Sequence, residues 1–134
     1  MANRKSPRLG DAKFSYTSEE TIVDAEVLYE GNMIERIDAS GEVQEATDAA
    51  SRFVLGVITK EVDNADDGEV ANFISTAVHG MEIDGTITRS NIGDLAYVKD
   101  ASTVSVSGSN NIAGPIVDVV EDLVYVDFDP AKKN

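Results

Sequence analysis

The chain is predicted to fold as an all-β domain, and three observations carry that expectation. Short segments alternate apolar and polar residues, turn-forming residues punctuate them at close spacing, and the one helical candidate is no longer than a turn. Many short strands spaced this closely make a small β-barrel, a β-tulip-like fold or a sandwich. At 134 residues one domain is expected, long enough to bury a core without disulfide staples.

The elements follow in order. Residues 1–20 read as an extended N-terminal arm, because Pro7 and Gly10 oppose regular structure and the segment has few apolar residues. The β texture begins at Thr21, so residues 21–130 form the β domain and 131–134 a C-terminal tail. Strands are predicted over Ala25–Tyr29, Met33–Asp38, Phe53–Glu61, Glu69–Ser75, Met81–Thr88, Leu95–Val98, Thr103–Val106, Ile112–Val120 and Leu123–Phe128. Turn signals separate them at Glu30-Gly31-Asn32, Ser40-Gly41, Asp67-Gly68, His79-Gly80, Asp84-Gly85, Ser107-Gly108 and Gly114-Pro115. Alternation is clearest late in the chain: Val124, Val126 and Phe128 share one strand face, with Leu123, Tyr125 and Asp127 on the other. Met81, Ile83 and Ile87 share a parity that Gly85 interrupts as a bend or bulge. The helical candidate is a turn through Ala49, Ala50 and Arg52, capped by Thr47 or Asp48.

Charge is distributed unevenly about a net −14. Residues 1–13 set Arg4, Lys5, Arg8 and Lys13 against Asp11, and Lys132 and Lys133 make the other end basic. Between them, residues 14–131 hold 5 basic against 24 acidic residues, a net −19. A body this acidic repels phosphates, so direct nucleic-acid binding is not expected. The basic arm suits an acidic partner surface, and Arg4, Lys5 and Arg8 are the candidate contacts. No segment approaches the ~20 apolar residues of a membrane span, so no membrane partner is expected. The basic N-terminus is not followed by an apolar core, and no signal peptide is expected. With no cysteine, disulfides and thiolate metal ligands are excluded.

Candidate chemistry is sparse. An EF-hand calcium loop places oxygen ligands at positions 1, 3, 5 and 12 and glycine at 6. Asp63, Asp67 and Gly68 fit the first, fifth and sixth positions, but Ala65 and Ile74 fall where ligands are needed. The segment reads as a solvated acidic hairpin turn, and no metal is expected. His79 is the only histidine; Ser75 and Thr76 lie close in sequence, but no pattern brings them to it, and His79 beside Gly80 reads as a turn residue. The absence of tryptophan and the low aromatic content argue against stacking platforms for sugars or single strands. Neither phosphate-cradling glycine motif occurs. No catalytic residue and no cofactor are expected.

Val54-Leu55-Gly56-Val57-Ile58, Asp66-Asp67-Gly68-Glu69 and Val78-His79-Gly80-Met81 are followed by Ile92 to Asp100 (IGDLAYVKD), then by Gly114-Pro115-Ile116-Val117 and Leu123-Val124-Tyr125-Val126. In this order of segments, from about Ala25 onward, the chain resembles the phage head decoration, or capsid cement, proteins. The resemblance covers roughly three-quarters of the chain. It implies a viral structural protein on the outer surface of an expanded capsid in the virion, bound to the major capsid protein and self-associated as a trimer at quasi-threefold positions. The alternatives are a phage tail or baseplate β-module and, more remotely, an acidic glycan- or cation-binding β-sandwich.

Overall fold

In the computed structural model the described residues are 20–65, 68–71, 73–108 and 110–133. They form an all-β structure in which a barrel packs against a sheet and two short ribbons. The strands are β1 (Glu20–Thr21), β2 (Val27–Leu28), β3 (Met33–Ile37), β4 (Val43–Glu45), β5 (Arg52–Ile58), β6 (Val62–Asp63), β7 (Val70–Ala71) and β8 (Ile74–Ser75). They continue with β9 (Val78–Ile83), β10 (Leu95–Asp100), β11 (Thr103–Ser105), β12 (Ile112–Val120) and β13 (Leu123–Asp127). Single 3-10 turns cover Arg89–Asn91 and Pro130–Lys132, each capped by a side-chain oxygen, from Thr88 and Asp129 respectively.

The barrel closes in the order β10-β11-β9-β13-β12. Its pairs are antiparallel except β11 with β9, which run parallel. Closure leaves no open edge in the ring. The alternation read from sequence fills it: Val124, Val126 and Phe128 point inward with Met81, Ala96, Val98, Val104 and Ile116. The four-stranded sheet runs β4-β3-β5-β8, and the ribbons pair β2 with β6 and β1 with β7.

Both faces of the four-stranded sheet are covered. Met33, Val54 and Val57 join the barrel core, whereas Ile34, Ile58 and Ile74 pack with Ile22, Leu28 and Val43 in a second core. Burying each such side chain is worth about 1.5–3 kcal/mol. The stacking is therefore barrel, sheet, ribbons, with β3 and β5 common to both cores.

Several local expectations are corrected. Gly114-Pro115 is no turn but lies inside β12, and His79-Gly80 lies inside β9. At Gly114 a Cβ would fall 2.1 Å from the Asp127 carbonyl oxygen, and at Gly56 2.2 Å from that of Ser75. Both glycines permit close strand approach, which at Gly114 the sequence pattern alone reads as a turn. Residues 47–52 form no helical turn: Thr47 spends its hydroxyl on the Glu35 carboxylate, and Arg52 already begins β5. The acidic segment is not a hairpin either, because β6 and β7 pair with β2 and β1 rather than with each other.

Candidate functional site

The outer wall of the barrel carries an apolar surface built rung by rung. Val120 on β12 opposes Leu123 on β13, and Leu123 in turn opposes Glu82 on β9. The next rung is Asp118, Tyr125 and Gly80. Gly80 contributes no side chain, so Tyr125 and Leu123 lean over it; a Cβ there would sit 3.2 Å from Tyr125 Cε1 and 3.4 Å from Leu123 Cδ1. Val117 is the extra residue of a bulge between Ile116 and Asp118 and faces solvent. Val78 is exposed at the foot of β9, and Ile92 borders the wall where the Gly93 N–H donates to the Ile116 carbonyl (2.8 Å). Together Val78, Ile92, Val117, Val120 and Leu123 are five of the seven large hydrophobic residues exposed among the described residues. Val117, Val120 and Leu123 stand exposed close together on the β12–β13 hairpin, beside the polar Glu82 and Asp118 of the same rungs.

Arg89 frames this wall. Its Nη1 donates to Asp118 Oδ1 (2.7 Å) and to the Val119 carbonyl (3.1 Å), tying the 3-10 turn to β12. The hydrogen bond from Arg89 holds the Asp118 carboxyl below the usual carboxylate range.

A second feature joins the sheet to the barrel. Glu35 on β3 is 0% exposed, and its carboxylate accepts from Gln44 Nε2 (2.6 Å), Thr47 N (3.0 Å), Thr47 Oγ1 (3.0 Å) and Asn111 Nδ2 (2.9 Å). Arg52 Nε lies 3.3 Å from Glu35 Oε2 but has no hydrogen-bond acceptor, so its N–H is not aimed at that oxygen and the contact is an ion pair alone. Asn111 also donates to the Thr47 carbonyl (3.1 Å). A buried carboxylate needs this many donors to hold its charge away from water.

Beside this hub, cations gather round one ring. The Arg36 guanidinium lies 5.2 Å and the Lys133 ammonium 4.2 Å from the centre of the Phe53 ring. Lys133 is 9% exposed, and its Nζ donates to the Val54 carbonyl. Burial pushes its pKa down to about 8. A cavity of about 210 Å³ opens here, bounded by Arg52, Phe53, Asn110, Asn111, Ile112 and Lys133.

His79 and Ser75 do meet: His79 Nε2 lies 2.8 Å from Ser75 Oγ, against the expectation that nothing brings them together. The β8–β9 connection folds back tightly enough to join them. Ser75 is buried and its hydroxyl also accepts from the Ala77 N–H (3.2 Å), so the pair braces the link rather than presenting a nucleophile. Burial lowers the His79 pKa.

Asn64 is likewise buried: its Nδ2 donates to the Val23 carbonyl (3.1 Å) and its Oδ1 accepts from the Glu69 N–H (2.9 Å), clasping β1's exit to the acidic loop. Among the described residues no three His, Cys, Asp or Glu side chains gather as a metal site. Likewise, no helix among them is long and apolar enough to cross a membrane. The predicted contacts Arg4, Lys5 and Arg8 lie outside the described residues. Glu35 and Lys133 went unread in the sequence. A glutamate in a strand and a terminal Lys-Lys pair look solvated until their neighbours are known.

No family model, curated protein or solved structure matches the chain.

Proposed function

We propose that the chain is a structural binding protein: a decoration protein of the outer surface of an expanded phage capsid. In this reading it contacts the major capsid protein through its N-terminal arm and self-associates as a trimer at quasi-threefold positions. The observation that supports the reading most is the apolar outer wall of β9, β13 and β12 on an otherwise strongly acidic body. A surface of this kind gains free energy only when covered by another protein. Closure of the barrel turns the strand faces, rather than strand edges, into the available contact. The chain before Glu20 leads into β1 at the margin of a two-stranded ribbon, a position from which it can add to a partner's sheet edge. A clamp that binds only the assembled shell stabilises it by mass action, and many symmetry-related copies make modest contacts effective.

Co-sedimentation of the purified protein with expanded and unexpanded shells tests the reading. Saturable binding to expanded shells alone is expected. Absence of binding to both would overturn it and bring the tail or baseplate module forward.

A further inference from the structure

We propose that the cavity between β5 and the start of β12 is a receptor for one carboxylate group, supplied by an acidic side chain of a partner protein. Its size comes first: about 210 Å³ is below the roughly 300–1,000 Å³ of pockets that enclose a whole small molecule, and suits one side chain.

Its charge comes next. On a chain of net −14 this cavity is bounded by two cations, Arg52 and Lys133, and, among the described residues, by no carboxylate side chain. Among the described residues no acidic side chain lies within 4.0 Å of Lys133, whose ammonium meets only the Val54 carbonyl and the Phe53 ring. Glu35 cannot serve it, because both its oxygens are already taken by Gln44, Thr47 and Asn111. Holding a cation away from water is costly, and burial lowers the Lys133 pKa.

The balance sets the ligand. Among the described residues Glu35 offsets Arg52, which leaves Lys133 as the cation without an acidic partner. A monoanionic carboxylate matches that charge, whereas a phosphate dianion exceeds it. Arg52 commits Nη1 to the Ala50 and Ser51 carbonyls, and its Nη2 has no acceptor among the described residues. One carboxylate oxygen reaching Nη2 and the other Lys133 Nζ would form charge-assisted bonds. The aliphatic stem of an acidic side chain would lie along Phe53 and Ile112.

The test is an NMR titration of the full chain with N-acetylglutamate amide, with N-acetylglutamine amide and with acetate, at constant ionic strength set by chloride. Saturable shifts of the Arg52, Asn110 and Asn111 side-chain N–H signals are expected with the glutamate amide and not with its neutral isostere. The Lys133 titration should move upward on binding. Lys133→Gln should weaken binding by about tenfold or more, and Lys133→Arg should retain it. Equal response to the glutamine amide, or undiminished binding in Lys133→Gln, would overturn the site. Acetate binding as tightly as the glutamate amide would overturn the side-chain assignment. The wild-type comparison needs no variant to fold, and none of these measurements involves a capsid, so the result stands apart from the sedimentation test.

Discussion

Gly56 and Gly114 each occupy a point where the carbonyl of a neighbouring strand takes the room of a side chain, and both have positive φ. Alanine at either position must displace backbone and hold a conformation that L residues resist. Gly56→Ala and Gly114→Ala are each expected to lower the unfolding free energy by at least about 2 kcal/mol in urea titrations. Gly41→Ala, with no atom within 4 Å of the added carbon, should cost only the left-handed backbone penalty of about 1–2 kcal/mol. Lys133 makes a pH-dependent prediction. Its pKa falls from 10.5 to about 8 on folding, so between those values the unfolded chain holds more protons than the folded one. Stability therefore rises with pH across that window, by up to about 3 kcal/mol. The difference in unfolding free energy between wild type and Lys133→Met, measured at pH 7 and 10, should change by that sign. His79 acts in the same sense at lower pH: its lowered pKa means that stability is lost on acidification through the ordinary histidine range. Gly41 was legible as a turn, whereas the roles of Gly56, Gly114 and Lys133 were not, because each depends on an atom contributed by a residue well away along the chain.

Strands whose apolar alternation is long and regular were legible as elements. β12 runs over Ile112–Val120 as the pattern predicts, and β13 differs only at its last residue. β4 was missed because its three residues, Val43, Gln44 and Glu45, carry one apolar side chain, and it stands only by pairing with β3. The predicted strand Glu69–Ser75 divides into β7 and β8, which belong to different sheets. Periodicity reports which face is apolar but not which partner covers it. The same limit hid the outer wall, since Val120 and Leu123 become neighbours only through the hairpin register. Val120→Lys should change stability by no more than about 0.5 kcal/mol, and Leu123→Lys, which gives up its contact over Gly80, by about 1 kcal/mol. They should nevertheless abolish self-association in analytical ultracentrifugation and lower capsid occupancy. Retained assembly in both variants would remove the wall from the interface. Removal of residues 1–13 is a separate test of the arm: the thermal transition should be unchanged while capsid binding weakens.

At the scale of the molecule, the all-β class was legible and a barrel was one of the architectures it allowed, whereas the layered arrangement was not. The reason lies in β3 and β5, which place Met33, Val54 and Val57 in one core and Ile34 and Ile58 in the other. A strand buried on both faces gives a continuous apolar run such as Phe53–Ile58, which does not reveal that two different layers cover it. Because both cores share these strands, neither half can lose its packing alone. Urea unfolding followed at Tyr29, beside the ribbons, and at Tyr125, on the barrel, should give coincident transitions. Separate midpoints would mean that the halves are independent. The ribbon of β1 and β7, with the register pairs Glu20–Ala71 and Thr21–Val70, joins this arrangement through Ala71, which is buried in the second core. Tension applied to the chain before Glu20 meets this ribbon first. A load there is expected to part these two pairs before it disturbs the closed ring. A pull at that end should therefore lengthen the chain while the barrel keeps its closure.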